Sequence, residues 1–348
     1  MRRGRVARRY LNENAAQMMT TARAWTLKQR PRGMPTHADF ELKEYPLQPL
    51  GEGEVRVRNE WLSVDPYMRG RMNDVKSYVP PFQIGEPMDG GAVGRVVESR
   101  SETHEEGDLV QHMLGWRDVT TAPAAAFNKL PALGVPDQTW LGNLGLTGGT
   151  AYWGLLDAAQ AKEGETVFVS AAAGAVGSAV VQIAKAKGMT VIGSAGGPKK
   201  CAWVKELGAD AVIDYKAEPI LKGLHAAAPK GIDVYFDNVG GDHLDAALAT
   251  ARNNCRIAIC GLIEGYNSPE PMAFRYLARI IAARITVKGF LFPDYLARMG
   301  EFYAEMAPWI ASSKVTSRET VHEGIARMPD AFLGLFTGGN IGKMLVRL

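Results

Sequence analysis

The amino-acid sequence predicts an α/β protein of two domains, a small antiparallel β-barrel followed by a doubly wound parallel sheet. Three observations lead to this prediction. The 348 residues of the chain exceed the roughly 100–200 residues of a single domain. Residues 25–140 show short runs of alternating polarity separated by Gly and Pro, which is typical of antiparallel strands. Beyond residue 140 strand patterns alternate with helix patterns, which is typical of a parallel sheet covered on both faces.

The charge of the chain limits the kinds of partner that we expect. Forty Lys and Arg residues stand against 37 Asp and Glu, so the formal net charge is +3, which is too small to favour nucleic acid or an anionic membrane. Residues 166–184 carry no charge, but Gly, Ser and Ala are too frequent there for a transmembrane helix. The sequence therefore favours a small-molecule partner, with no nucleic acid and no membrane.

The cysteines and histidines predict neither disulfide bonds nor a metal site. Cys201, Cys255 and Cys260 are odd in number and form no CxxC pair, which favours a reducing compartment. The six histidines do not cluster at the spacing of zinc ligands, so we predict no metal.

Residues 1–20 are predicted to form a disordered tail. They contain five Arg and one acidic residue, a composition that also occurs in transit peptides. Met18 or Met19 is an alternative initiator, which would place the extension outside the protein. We favour a tail or such an extension over a transit peptide, and hence a cytoplasmic protein over a mitochondrial one.

The first domain is predicted from short strands and one long loop. The strands are expected at 23–27, 40–42, 54–58, 91–98 and 108–110. Pro80, Pro81 and Pro87 mark the long loop. Loops of this length often carry functional residues.

Residues 166–188 predict a strand, a tight turn and a helix in succession. An apolar run over 166–170 precedes small residues, and apolar side chains then recur at helical spacing at Val176, Val180, Ile183 and Ala184. Residues 172–177 have the sequence AAGAVG, the G-x-G-x-x-G fingerprint with alanine in first place. Backbone N–H groups at the start of such a helix bind a pyrophosphate. The alternative is a buried strand and helix whose small residues serve close packing.

The rest of the second domain is predicted to continue this alternation. Further strands are expected at 190–194, 211–214, 232–237, 256–260 and 285–291, and helices at 199–207 and 242–251. A ligand of such a sheet lies at the carboxyl ends of the strands. Residues 338–348 end in an apolar strand, which we expect to return to the first domain.

The end of the second strand of this sheet predicts the type of dinucleotide. An NAD site carries an acidic residue about 20 positions into the motif, for the ribose 2′-hydroxyl, whereas residues 193–196 are Gly-Ser-Ala-Gly. Lys199 and Lys200 open the next helix, where their charges oppose the helix dipole unless an anion binds. We therefore predict NADPH over NADH, with Lys200 at its 2′-phosphate and Tyr215 beside it. The alternatives are a solvated lysine pair and a rim tyrosine without a ligand.

Four motifs together resemble a known family. They are residues 63–72 (SVDPYMRGRM), 171–178 (AAAGAVGS), 236–241 (FDNVGG) and 340–343 (NIGK). Over residues 23–348 the chain resembles the zinc-free medium-chain dehydrogenase/reductases, specifically the prostaglandin reductase and alkenal/one double-bond reductase group. Residues 1–20, the predicted tail, lie outside the resemblance, which implies a GroES-like antiparallel β-barrel domain over 21–142 with 312–348 and a Rossmann domain over 143–311. It also implies hydride transfer from NADPH to the β-carbon of an α,β-unsaturated ketone or aldehyde.

The resemblance also implies which residues contact the cofactor. The pyrophosphate would be held by Gly174, Ala175, Val176 and Gly177, and the 2′-phosphate by Lys200 and Tyr215. The other implied cofactor contacts are Asn238, Cys260, Gly261, Leu262, Ile263, Tyr266, Phe290, Leu291, Phe292 and Asn340.

The substrate side is implied with one departure from the family. Tyr78 matches a substrate-facing tyrosine of the group and is the candidate catalytic residue, as a hydrogen-bond donor to the carbonyl oxygen; a tyrosine packed on the neighbouring prolines is the alternative. Tyr67 and Tyr266 are further substrate-binding candidates, although Tyr67 also suits a structural role. Some members carry another tyrosine where this chain has Ile-Ala-Ala at 281–283, and the nearest tyrosine is Tyr276.

Two other functions stay open. They are a quinone or alcohol oxidoreductase of the same superfamily and a non-catalytic NADPH-binding sensor. The missing Gly-His-Glu zinc motif at 86–94 counts against alcohol oxidation, and the 65–69 sequence DPYMR counts against a generic quinone reductase. The apolar run at 285–292 predicts an exposed sheet edge and hence a homodimer.

Overall fold

The computed structural model describes residues 20–348, so nearly all of the predicted tail lies outside the described residues. Sheets of six and seven strands, with one separate strand pair, form the framework. The chain builds the barrel first, crosses to the parallel sheet and returns to the barrel with its last two strands. The predicted fold class is confirmed.

The barrel domain contains nine strands. Two of them, β1 (Thr21–Leu27) and β2 (Phe40–Pro46), pair with each other. The larger sheet contains β3 (Glu54–Ser63), β4 (Ala92–Ser99), β5 (Leu109–His112), β6 (Val119–Pro123), β7 (Asn128–Lys129), β14 (Glu319–Glu323) and β15 (Lys343–Arg347). β15 runs antiparallel to β3 with Leu345 opposite Ser63, which confirms the predicted return of the last strand.

The second sheet is parallel throughout. Its strands are β8 (Thr166–Val169), β9 (Thr190–Ala195), β10 (Ala211–Asp214), β11 (Ile232–Asp237), β12 (Ala251–Ile259) and β13 (Thr286–Gly289). Their spatial order, β10-β9-β8-β11-β12-β13, puts the switch point of a doubly wound sheet between β8 and β11. Within residues 20–348, β13 pairs with β12 alone, and all four of its residues are exposed.

The helices of the second domain cover both faces of this sheet. Among the described residues the helices are α1 (Met68–Arg71), α2 (Leu146–Trp153), α3 (Ala175–Ala186), α4 (Pro198–Glu206), α5 (Ile220–Ala227), α6 (Gly241–Thr250), α7 (Arg279–Ala282), α8 (Met299–Ala311) and α9 (Met328–Phe336). Apolar side chains of α2, α3, α4 and α8 pack on one face, and those of α5 and α6 on the other. No helix within residues 20–348 is long and apolar enough to cross a membrane.

One apolar cluster runs through both domains. Val93 of β4 and Leu345 of β15 belong to the same buried cluster as Val169 of β8 and Val180 of α3. Because these side chains are buried together, the two domains are packed against each other along one side. A cleft at the carboxyl ends of the parallel strands therefore has a fixed wall.

Candidate functional site: a cleft between the two domains

The turn between β8 and α3 has the backbone geometry of a phosphate cradle. Ala171 adopts a positive φ of 48°, and a Cβ atom on Gly177 would overlap the carbonyl oxygen of Ala171. A larger residue at position 177 would therefore push the start of α3 away from the strand. Gly174, Ala175 and Val176 are partly exposed at the helix N-terminus, where backbone N–H groups and the dipole attract an anion.

The C-terminal segment of the chain docks on this turn. The backbone N–H of Gly342 donates to the carbonyl oxygen of Ala173 at 2.8 Å, and the side-chain amide of Asn340 donates to the carbonyl oxygen of Gly342 at 2.8 Å. Gly342 has a positive φ of 71°, and a Cβ there would overlap the carbonyl oxygen of Arg318. Asn340 is thus held beside the phosphate turn.

A basic pocket lies beyond the carboxyl end of β9. A Cβ on Gly196 would lie 2.6 Å from the Tyr215 hydroxyl and 3.1 Å from Cε of Lys216, and one on Gly338 would lie 3.4 Å from Nζ of Lys200. Burial, and then the charge of Lys216, lowers the pKa of Lys200. Tyr215 and Lys216 thus lie against the turn at Gly196 and Lys200 against the turn at Gly338, and two lysines with a hydroxyl are groups that suit a phosphate. Lys216 was not predicted, although it follows Tyr215 directly in the sequence.

The switch point between β8 and β11 is held by a buried hydrogen-bond network. Oδ1 of Asp237 accepts bonds from the Tyr235 hydroxyl at 2.6 Å and from the backbone N–H groups of Val239 and Gly240, both at 2.9 Å. Asn238 donates its backbone N–H to Oγ of Ser170 at 2.9 Å and its side-chain amide to the Ser170 carbonyl oxygen at 2.8 Å. Asn238 is therefore fixed across the two central strands, where a dinucleotide crosses such a sheet.

The predicted cofactor loop after β12 is attached to the same point. The backbone N–H groups of Cys260 and Gly261 donate to the Asp237 carbonyl oxygen at 2.8 and 3.1 Å. The Tyr266 hydroxyl accepts a bond from the backbone N–H of Leu262 at 3.3 Å, and Ile263 begins a single helical turn. Burial, followed by the charge of Asp237, raises the pKa of the Cys260 thiol to about 12, so this thiol is not poised as a nucleophile.

The side chains of Phe290 and Phe292 are used for packing. A Cβ on Gly154 would overlap the ring of Phe290, and one on Gly149 would overlap the ring of Phe292. The two rings thus fill the grooves that these glycines leave on α2 and the π-helical turn after it.

Three tyrosines of the two domains are predicted to face the substrate, and burial acts on the pKa of each. Burial, and then the charge of Cys260, raises the pKa of Tyr78, whose side chain is 59% exposed. Burial raises the pKa values of Tyr67 and Tyr266, and the charge that Tyr78 would carry when ionised adds to both shifts. The loops themselves are joined by Arg69, which donates to Asn73 at 2.8 Å and to Asn267 at 2.9 Å. Tyr78 of the barrel and Tyr266 of the parallel-sheet domain therefore lie on loops that meet at this junction.

Tyr67 lies next to the loop of Tyr78, whereas Tyr276 lies elsewhere, on one face of the parallel sheet. The Tyr67 hydroxyl is buried and has no hydrogen-bond partner among the described residues, next to the cleft loop of Tyr78. Tyr276 packs against the apolar cluster on the α5 and α6 face of the sheet, and Ile281 is 83% exposed. The segment around 276–283 thus supplies no described hydroxyl to this tyrosine group.

Within residues 20–348, no group of three or more His, Cys, Asp or Glu side chains is arranged to hold a metal ion. His112 illustrates the structural use of histidine in the barrel. Its Nε2 bonds Oδ1 of Asn59 at 2.8 Å and its Nδ1 accepts from the backbone N–H of Leu114 at 3.1 Å. Burial lowers the pKa of His112 to about 3.

Comparisons with known proteins agree with this geometry. A family model described as the N-terminal domain of oxidoreductase matches residues 23–130, and one described as zinc-binding dehydrogenase matches residues 175–312. NADPH-dependent curcumin reductase of Escherichia coli (strain K12) is 44% identical over 336 residues, which cover 94% of this chain and 96% of that relative. Prostaglandin reductase 1 of Mus musculus is 40% identical over 335 residues, which cover 94% and 100%. The crystal structure of CurA from Vibrio vulnificus in complex with NADPH is 42% identical and has a TM-score of 0.89, covering 93% of this chain and 98% of that one.

Fold and cleft together define a nicotinamide-nucleotide-dependent oxidoreductase, in which a barrel domain faces a Rossmann sheet. The sequence matches cover more than nine-tenths of the chain and therefore identify its family. The chain belongs to the medium-chain dehydrogenase/reductase family, within the group of the prostaglandin and 2-alkenal reductases. The family resemblance predicted from four motifs is thereby confirmed.

Proposed function

We propose that this protein uses NADPH to reduce the carbon–carbon double bond of α,β-unsaturated ketones and aldehydes. The observation that carries the proposal is the joint presence of two lysines, Lys200 and Lys216, beside glycine turns that follow the parallel strands and a junction at which Arg69 joins the loops of Tyr78 and Tyr266 through Asn73 and Asn267. The curcumin reductase and the CurA complex described above are named for NADPH, and this supports NADPH as the cofactor here.

The cofactor would be held along the carboxyl ends of the parallel strands. Residues 174–177 would receive the pyrophosphate, and Lys200, Lys216 and Tyr215 the 2′-phosphate. Asn238, the 260–266 loop, the 290–292 stretch and Asn340 complete the proposed contacts. When bound, NADPH supplies the hydride for the β-carbon of the substrate.

Tyr78 is proposed to donate a hydrogen bond to the carbonyl oxygen of the substrate. Negative charge grows on that oxygen as the β-carbon is reduced, so a fixed donor stabilises the transition state more than the ground state. The raised pKa of Tyr78 keeps its phenol neutral and therefore able to donate at working pH. Tyr67 and Tyr266 would line the substrate beside it.

The reaction is tested by following NADPH absorbance with a panel of enones, alkenals and quinones, and by identifying the products. We expect a saturated ketone or aldehyde with the carbonyl intact. An allylic alcohol as the product, or turnover of quinones alone, would contradict the proposal. Activity is also expected to survive exhaustive chelation, and loss of a stoichiometric metal together with activity would show that the reaction needs one.

We further propose a homodimer that pairs through the exposed edge strand β13. Leu277, Ile281 and Val287 lie within or just before this edge and are 55%, 83% and 44% exposed. An unpaired edge flanked by apolar side chains is a surface that a second copy of the chain can extend and cover. Light scattering is expected to give a dimer at micromolar concentration, and Val287→Lys is expected to shift it to monomer; a monomeric parent protein would refute the proposal.

We also propose the boundaries of the two domains and the cellular location of the protein. We place the barrel domain at 21–142 with 312–348 and the Rossmann domain at 143–311, and we propose a cytoplasmic protein. Limited proteolysis would test the boundaries through cleavage near residues 142 and 311, and fractionation of cells would test the location.

A further inference from the structure

The guanidinium of Arg69, on α1, joins three segments of the chain. Arg69 is 3% exposed. Its Nε donates to Oδ1 of Asn267 at 2.9 Å, its Nη1 to Oδ1 of Asn73 at 2.8 Å, and its Nη2 to the carbonyl oxygen of Gly33 at 2.8 Å. Gly33 and Asn73 belong to the barrel domain, whereas Asn267 follows β12 of the Rossmann sheet. Arg69 therefore bridges the cleft.

Two loops that carry the proposed site residues meet at this bridge. The substrate-side loop, residues 73–82, carries Tyr78, and the cofactor-side loop, residues 260–267, carries Cys260 and Tyr266. Arg69 binds the first residue of the substrate-side loop and the last residue of the cofactor-side loop. One side chain thus contacts both walls of the cleft.

Arg71 holds the other end of the substrate-side loop. Its Nε donates to the carbonyl oxygen of Pro80 at 2.8 Å, its Nη2 donates to Oδ2 of Asp89 at 3.0 Å, and its guanidinium carbon lies 4.0 Å from the centre of the Phe82 ring. These partners all belong to the barrel domain. Arg71 anchors the loop within its own domain, and Arg69 adds the connection to the other one.

We propose that Arg69 is a positioning residue that couples the substrate-side loop to the cofactor-side loop and thereby sets the distance of Tyr78 from the cofactor. The effect on catalysis rests on the proposed function, but the coupling between the loops can be measured without turnover. If Arg69 couples the loops, a change at Asn267 in the cofactor-side loop is transmitted through Arg69 to the substrate-side loop.

The chemistry of the side chain explains why arginine suits this place. Its three described partners are neutral oxygens, two carboxamides and one carbonyl, and a charged donor strengthens each of these bonds. The planar guanidinium directs its donors to three separate segments at once, whereas the single ammonium of lysine is a point charge that cannot reproduce this fork. Arg69→Lys is therefore expected to restore the coupling only in part.

The test compares Arg69→Met, Asn267→Ala and the double variant. Asn267→Ala removes the bond to Arg69 and a contact of the Asn267 amide with Sδ of Met34 at 3.2 Å, so faster amide hydrogen exchange in residues 73–82 of this variant requires transmission across the cleft, and the double variant separates the route through Arg69 from the route through Met34. We expect exchange there to be at least about threefold faster in both single variants, and no faster in the double variant than in Arg69→Met. With NADPH saturating, KM for an enone is expected to rise roughly tenfold in Arg69→Met, while the Kd of NADPH changes less than about twofold.

Arg56→Met is the matched control for loss of a buried arginine. Arg56 is 9% exposed and donates to Oγ1 of Thr121 at 3.2 Å and to Glu98 and Gln48, all within the barrel. This variant is expected to lower the melting temperature without changing KM or exchange in residues 73–82. The proposal is overturned if Asn267→Ala leaves exchange in 73–82 as in the parent, if the two losses add, or if Arg56→Met raises KM equally. A parent protein that reduces no enone would refute the proposed function, while the exchange data would still decide the coupling.

Discussion

Replacement of Lys200 by alanine is expected to weaken the binding of NADPH selectively. Lys200 is half-buried near Lys216 and the turn at Gly338. Its burial and the charge of Lys216 both lower its pKa. Oδ1 of Asp214 accepts bonds from the backbone N–H groups of Gly197 and Lys216, at 2.9 and 3.0 Å. The charge that acts on Lys200 is that of a second lysine, Lys216, so a phosphate bound there would be attracted by both ammonium groups.

The size of the effect follows from the kind of bond that is lost. A hydrogen bond from a charged donor contributes about 1.5–3 kcal/mol, or roughly 10- to 150-fold in affinity. Lys216 and Tyr215 remain, and both are exposed to solvent, so screening places the expected loss near the lower end, about 10- to 30-fold. NADH lacks the 2′-phosphate, so its Kd is expected to change less than about twofold.

Fluorescence titration with each nucleotide measures the two dissociation constants, and steady-state kinetics measure the corresponding KM values. Lys199→Ala is the matched control, because Lys199 is the adjacent lysine on the same helix and is exposed. It is expected to bind both cofactors as the parent does. Equal losses of NADPH and NADH binding in Lys200→Ala, or an equal loss in Lys199→Ala, would refute the phosphate assignment. Raised salt should weaken NADPH binding to the parent more than to Lys200→Ala.

Three further predictions concern catalysis and stability. Tyr78→Phe should lower kcat on an enone by roughly tenfold or more with an unchanged Kd for NADPH; full activity would remove Tyr78 from the mechanism. Lys343→Met should lower the free energy of unfolding by about 3–5 kcal/mol, because it leaves the buried carboxylate of Asp65 without its ion-pair partner, which lies at 3.0 Å. Denaturant unfolding measures this loss, and the Asp65→Asn, Lys343→Met double variant is expected to regain part of the lost free energy. His112 has a folded-state pKa of about 3 against 6.5 for the free group, so the unfolded chain binds a proton at a higher pH than the folded one. The free energy of unfolding should therefore fall as pH drops from 6.5 towards 3, by about 2 kcal/mol at pH 5. His112→Gln should reduce this dependence on pH, and an unchanged dependence would exclude His112 as its cause.

The sequence predicted the elements whose signal is local. The strand, turn and helix over 166–188 follow from apolar spacing and small residues within one stretch, and the structure has β8 and α3 there. The helices at 199–207 and 242–251 match α4 and α6 to within one residue at each end. In contrast, α2 contains Gly148 and Gly149 and α8 contains Pro308. These residues weaken a helical pattern, so neither helix was predicted.

The parts of the site that were missed depend on residues far apart in sequence. Arg69 and Asn267 are 198 positions apart, and the contact of Gly342 with Ala173 joins the end of the chain to its middle. No local sequence pattern predicts such a contact, because the contact depends on how the two domains pack against each other. Gly149 shows the same dependence, since the need for glycine there comes from the ring of Phe292, on a different element.

The position of the tyrosines narrows the choice of donor in the proposed reaction. Tyr276 packs from outside against the apolar cluster on the α5 and α6 face of the sheet and Ile281 faces solvent, so the segment that carries a substrate-side tyrosine in some relatives offers none among the described residues. The hydroxyl of Tyr266 accepts a bond from the backbone N–H of Leu262, and Tyr266 is less exposed than Tyr78; the hydroxyl of Tyr67 is buried. Tyr78 is the exposed member of the group and stands on a loop held at both ends by arginines. A donor that is both accessible and held in place is what a growing negative charge requires, which favours Tyr78 for the role.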